Sequence, residues 1–309
     1  MTSAVDPTAS PRAAGAAALK SRLTAAVLVT AAFAALAWAD HASLGGAAPV
    51  WWLLPAAIVV AFGGADEAVK LFARRGVALP GLPVKLLAAA VACSAAVAGT
   101  APPAAAAMGW PALAVAAAAI VLSALEICRY RGGDDGPLDR LSAGILVVVI
   151  LGLPLACMVS LRLLGAATGA VAGGLLPLVS LIAVAKAGDI AAYVGGTLLG
   201  RHRMAPLLSP GKTWEGAAAS IAGSSFMAWL LLDRLAGPQP TGPWGGWPVY
   251  GMAVGATAIL GDLAESLLKR ECGAKDSGRS LGAMGGLLDL VDSLLFAAPV
   301  AWGLWVLGG

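Results

Sequence analysis

About nine stretches of this chain are long and apolar enough to cross a bilayer, and that excludes most soluble architectures before any motif is read. They run approximately over 23–39, 49–65, 84–101, 108–128, 141–161, 168–187, 216–232, 248–268 and 287–307. A membrane helix needs about 20 apolar residues, with roughly 17 to 25 tolerated. Backbone polar groups in hydrocarbon must be satisfied within the segment itself, so runs of this length read as helices. The expectation is an all-α polytopic membrane protein with about nine transmembrane helices. The chain is 59% hydrophobic and only 12% charged, about half the charge of a soluble domain. The run over 23–39 ends in "AWAD", which has the outline of a cleavable leader. The many spans behind it favour a retained first helix.

Charge placement gives the organisation. With the N-terminus in the cytoplasm, that side receives 18 of the 20 lysines and arginines, and the outside only Arg162 and Arg234. This is the bias expected of a multi-pass inner (cell) membrane protein. Trp38, Trp51, Trp52, Trp110, Trp244, Trp247, Trp302 and Trp305 then fall near the outer face, as an interfacial belt would. Residues 1–22, small, polar and with two prolines, read as a mobile cytoplasmic tail. Residues 23–165 form the N-terminal transmembrane helices. Residues 166–309 form a catalytic transmembrane region with two cytoplasmic loops, 188–215 and 269–286. Two spans separate these loops, so they share a side of the membrane and can share a site.

The net charge of +3 gives no reason to expect a nucleic-acid partner. Cys93, Cys128, Cys157 and Cys272 have no zinc spacing, and packing is their expected role. His41 and His202 are the only histidines, which removes a His-rich metal site and makes a Ser-His-Asp triad improbable.

The chemistry gathers in the last third. Asp262, Glu265, Ser266 and Lys269 are spaced i, i+3, i+4, i+7, one stripe of a helix. With Lys269 at the membrane surface, Asp262 lies about 10 Å deeper. A carboxylate there is costly unless it meets a partner or a wet cavity. A salt bridge accounts for Glu265 and Lys269 but not for Asp262. Asp289 and Asp292, with Ser293, open the ninth span behind a glycine-rich turn. Each alone is explained by the helix dipole. Together, facing Asp262, they suggest a cation site, and carboxylates without His or Cys suit Mg²⁺. Lys186, Asp189 and Tyr193 form a third stripe, followed by Gly195, Gly196 and Gly200; close helix packing is the equal alternative. "SPGKTWEG", from Ser209 to Gly216, fails as a Walker A loop because Pro206 stands where a glycine is required. What remains is Ser209, Lys212 and Thr213 at a helix start, a place that binds anions readily. Acidic metal ligands, basic groups and a helix start at one membrane surface are the parts needed for phosphoryl or nucleotidyl transfer.

These residues resemble the phosphatidate cytidylyltransferases, the CDP-diacylglycerol synthases. The family pattern Ser-x-x-Lys-Arg, Lys-Asp, Gly-Gly and Asp-x-x-Asp is met, in spacing, by Ser266, Lys269, Arg270, Lys275, Asp276, Gly285, Gly286, Asp289 and Asp292. "GDLAES", "DIAAYVGG" from Asp189 and "SPGKTWEG" match as well. The likeness is strong over about 185–295; the first 165 residues match only as a set of spans. It implies synthesis of CDP-diacylglycerol and pyrophosphate from CTP and phosphatidate in the lipid bilayer, with Mg²⁺ and room for a second cation. By that resemblance Asp262 and Asp289 are the metal ligands, with Asp292 and Asp276 supporting them. Lys212, Lys269, Arg270 and Lys275 hold phosphates, and Asp189, Tyr193, Ser209, Thr213 and Ser266 line the substrates. A homodimer is expected from the family alone. Three basic family residues are absent: Met284 stands for the histidine of the turn, Leu290 for the arginine of Asp-Arg-x-Asp, and Gly211 for a lysine. The chain thus reads as an altered member, slower or directed to another lipid phosphate or nucleotide, with a catalytically dead relative as the extreme. A CTP-dependent polyprenol or phytol kinase is the alternative enzyme, and a transporter the alternative of another class. The one-sided cluster of charge argues against the transporter.

Overall fold

The structure, a computed structural model, describes residue 35 and residues 52–98, 108–132, 136–167, 175–237, 241–278 and 286–308. The tail over 1–22, the first expected span apart from Ala35, and Trp38, Trp51, Arg279 and Met284 lie outside the described residues. Eight helices follow: α1 (Leu53–Arg74), α2 (Gly81–Ser94), α3 (Gly109–Arg129), α4 (Pro137–Ala167), α5 (Leu176–Leu199), α6 (Trp214–Ala228), α7 (Gly246–Glu271) and α8 (Leu287–Gly308). A 3-10 turn extends α2 to Ala98, and a π-helical turn extends α6 to Leu235. The only strands among the described residues are β1 (Arg203–Ala205) and β2 (Ser209–Thr213), an antiparallel hairpin before α6.

Among the described residues six helices, α3 to α8, are long and apolar enough to cross a membrane. The described residues, which leave out the first expected span apart from Ala35, thus hold six of the expected nine. α1 has the length, but its second half carries Asp66, Glu67, Lys70 and Arg74. The apolar run stops at 65, the expected end of this span, although the helix continues for two more turns. α2 with its 3-10 turn is apolar but short. α5 departs in the other direction: it runs to Leu199, so the segment expected as a loop from 188 begins only at Gly200. The helix persists because Ala191, Ala192, Tyr193 and Val194 are compatible with it, and polarity alone had ended the span.

α4 is the central helix. Val147, Val148, Leu151, Leu155 and Leu161 are almost fully buried among α1, α2, α3 and α8. α5 to α8 form the second half of the bundle. Small residues bring α5 against α6: a Cβ on Gly195 or Gly223 would collide with Ala219 or Ala191. A buried hydrogen bond of 2.9 Å joins Ser180 to Tyr250, and Trp305 meets the Tyr250 ring edge-on. Trp305 is thus a core residue, unlike its expected place in the interfacial belt, while Trp52, Trp110 and Trp244 are exposed.

Most ionic contacts among the described residues gather at one end of the bundle, the Asp233–Arg234 pair being an exception. Lys85 at the start of α2 pairs with Asp66 late in α1, and Arg140 at the start of α4 pairs with Glu126 late in α3. Gly144 of α4 faces both Leu122 of α3 and Val84 of α2, so these helix ends are neighbours. Glu67 of α1 joins them to the start of α8. The sequence carries this pattern in the first half: the charged ends of α1 and α3 are followed by the charged starts of α2 and α4.

Candidate active site

The charged end of α5 to α8 encloses a cavity of ≈ 630 Å³. Four elements supply its polar lining. α7 contributes Asp262, Glu265 and Lys269; the start of α8 contributes Asp289, Leu290 and Asp292; α5 contributes Lys186, Asp189 and Tyr193; the hairpin and the start of α6 contribute Lys212 and Thr213. Helical periodicity explains the first three sets, since residues three, four and seven apart share a face. α7 and α8 come close at Gly261, where any Cβ would press on the backbone carbonyl of Asp292. That contact brings the carboxylate of the next residue, Asp262, into the neighbourhood of Asp292.

Carboxylate atoms of Asp262, Glu265 and Asp292 all lie within 4.8 Å of one another. Glu265 is buried, and its Oε1 has no hydrogen-bond partner. A buried carboxylate oxygen without a partner is costly, and together with the partly buried Asp262 and Asp292 it forms a set of oxygen ligands at a spacing that fits a hard cation. The set overlaps only partly with the expected Asp262 and Asp289. Asp289 is otherwise engaged: its Oδ1 accepts from Lys269 Nζ at 2.8 Å, and its Oδ2 accepts from the backbone of Gly286 at 2.7 Å. Lys269 also donates to Glu265 Oε2 at 3.0 Å, so it bridges α7 and α8.

The other cations are placed by the cavity walls. Lys212 Nζ lies 2.8 Å from Asp262 Oδ2, an ion pair without hydrogen-bond alignment. Lys186 donates to Asp189 Oδ2 at 3.0 Å, to Ser293 Oγ at 3.1 Å and to the Leu290 carbonyl at 3.3 Å. Among the described residues the lining holds six carboxylates, including the exposed Asp276, against three ammonium groups. A polyphosphate entering this excess of negative charge requires additional positive charge, which a divalent cation supplies.

Thr213 has a different task from the one its motif suggests. Its side chain caps α6, accepting from Gly216 N at 3.1 Å, and Trp214 N donates to the His202 carbonyl. Those amides are already used, and Glu215 in the same turn holds His202. Anion attraction at this helix start therefore falls to Lys212. Ser209, Ser266, Arg270 and Lys275 do not line the cavity. Arg270 instead donates to the carbonyls of Leu208 and Ala274, each at 3.3 Å, bracing the hairpin against the end of α7. Lys275 is exposed beside Asp276. Two lining residues lie outside the site residues expected from sequence: Glu265, for which a salt bridge to Lys269 is a sufficient account in sequence, and Lys186. Their i, i+3 spacing to Asp262 and Asp189 was the available signal.

A family model described as the cytidylyltransferase family matches residues 20–307. The chain is 44% identical over 131 residues to a phosphatidate cytidylyltransferase of Brucella suis biovar 1, covering 42% of this chain and 46% of that protein. It is 41% identical over 122 residues to a phosphatidate cytidylyltransferase of Mycobacterium leprae, covering 40% and 38%. It is 39% identical over 128 residues to the uncharacterized protein YnbB of Escherichia coli, covering 41% and 42%. These matches span less than half the length of each curated relative.

Proposed function

Because the chain belongs to the cytidylyltransferase family, we propose that it joins CTP to phosphatidate, forming CDP-diacylglycerol and pyrophosphate in phospholipid synthesis. The observation that carries this reading is the carboxylate trio of buried Glu265 with half-buried Asp262 and Asp292, beside three lysines in one cavity. Asp262, Glu265 and Asp292 would hold Mg²⁺, which when bound neutralises triphosphate charge and favours attack at phosphorus.

The chain's own groups do the rest. Lys212 and Lys269 exchange their carboxylate partners for phosphate oxygens as the nucleotide enters. A phosphate oxygen of phosphatidate forms the new bond to the α-phosphorus. The bond from that phosphorus to the bridging oxygen breaks, and pyrophosphate leaves with the electron pair. The nucleophile is already anionic at neutral pH, so no strong base is required, in keeping with a cavity that histidine does not line. Positioning and charge neutralisation are the main contributions in such reactions. The lipid approaches along α5, where Ile190, Tyr193, Val194 and Leu198 are exposed next to the cavity. The lysine and arginine bias supports a cytoplasmic orientation of this end in the inner membrane.

The test uses purified protein in mixed micelles with phosphatidate, CTP and Mg²⁺. CDP-diacylglycerol and pyrophosphate should form in equal amounts, and Asp292→Asn should abolish both. Release of CDP with phosphorylation of an added prenol would establish the kinase alternative instead. A full panel of lipid phosphates and prenols without turnover would mark the dead relative.

A further inference from the structure

Glu67 belongs to the N-terminal half, far from the motifs, yet its carboxylate holds the start of the helix that carries Asp289 and Asp292. Glu67 is only 4% exposed. Its Oε1 accepts from Leu287 N at 2.9 Å, and its Oε2 accepts from Leu288 N at 2.9 Å. These are first-turn amides of α8, which have no partner inside the helix. A carboxylate at that position also complements the positive end of the helix dipole. Oε2 further accepts from Ser277 Oγ at 3.1 Å, so the same group ties down the segment that follows α7. The partners are 210 to 221 residues apart in sequence.

Two glycines record how close this contact is. A Cβ on Gly278 would lie 2.8 Å from Glu67 Oε1, and one on Gly286 would overlap both Ser277 Oγ and Glu67 Oε2. Gly286 is the second glycine of the motif turn, so its small size is matched to a carboxylate from α1. The third amide of this helix start, Gly286 N, is taken by Asp289. Glu67 and Asp289 thus divide the cap.

We propose that Glu67 is a positioning residue: by clamping Ser277, Leu287 and Leu288 it fixes the axial position of α8, and with it the separation of Asp292 from Asp262 and Glu265. It touches no reacting atom. The N-terminal half thereby takes part in the active site through one side chain. The inference rests on the metal-site reading only for how the displacement is felt.

Glu67→Gln is isosteric but turns a two-oxygen acceptor into one oxygen and one N–H donor. Glu67→Asp keeps the charge and withdraws it by one methylene. Glu126→Gln, which removes a buried carboxylate that pairs with Arg140 away from α8, is the control. Amide exchange across 286–289 should quicken about tenfold in E67Q and less in E67D, with no change across α5 (loss of a charge-assisted hydrogen bond). Half-saturation by Mn²⁺, followed by electron paramagnetic resonance without substrate, should rise by a similar factor in the same order. Unchanged exchange in E67Q, an unchanged Mn²⁺ titration where wild type binds, or an equal effect in E126Q overturns the proposal. If wild type itself binds no Mn²⁺, the metal reading falls, and exchange alone decides the clamp.

Discussion

At the scale of single residues, the site is governed by which carboxylates have partners. Glu265 Oε1 has none in a buried place, whereas Asp289 is held by Lys269 and Gly286. Glu265→Gln should therefore raise the Mg²⁺ concentration for half-maximal activity by about ten- to a hundredfold, the loss of roughly 1.5–3 kcal/mol from one charged contact. An unchanged Mg²⁺ dependence would remove Glu265 from the cation site. Lys186 bears on the missing motif arginine. It reaches the backbone of Leu290 from α5, so the cation absent at position 290 has a neighbour in the cavity wall. Lys186→Met should raise KM for CTP about tenfold, and Leu290→Arg in that background should recover part of it. No recovery would show that the two positions do not substitute for each other.

At the scale of elements, the close passage of α7 past α8 sets the geometry. Gly261→Ala adds a methyl group against the Asp292 carbonyl. Overpacking of this kind costs about 1–3 kcal/mol, and the shift should reduce kcat further than thermal stability. Equal loss of both would argue that Gly261 serves packing alone. Thr213→Ala removes the cap of α6 and should lower stability by about 1 kcal/mol while leaving KM for CTP nearly unchanged, because its hydroxyl is used by Gly216. The same elements show what the sequence could reveal. Apolar length and helical spacing gave α3 to α8 and put Asp262 with Asp292 at one end. They misjudged the end of α5 and the length of α1, because polarity was read as a break where the helix simply carries polar groups inward. Trp305 was misread because belt and core tryptophans have the same apolar neighbours in sequence. Glu67 had no signal at all: it accepts from two backbone amides and a serine hydroxyl over 200 residues away, and no local side-chain pattern announces such contacts.

At the scale of the molecule, the bundle gathers most of its ion pairs at the end that holds the cavity, and the proposed reaction needs that end to meet both a water-borne nucleotide and a membrane-held lipid. Cysteine introduced at exposed Lys275 should react with an impermeant maleimide only after the cytoplasmic face is opened, and one at exposed Trp244 only from the opposite face. Labelling of both from one side would overturn the alternation of α7. The measurement that tests the central claim most directly follows phosphorus through the reaction, with CTP labelled in parallel at its α- or γ-phosphate and phosphatidate as acceptor. Nucleotidyl transfer requires the α-label in the lipid product and the γ-label in pyrophosphate, and neither transfer in Asp292→Asn. The γ-label appearing in a lipid, with CDP released, would contradict the account and make this cavity a kinase site.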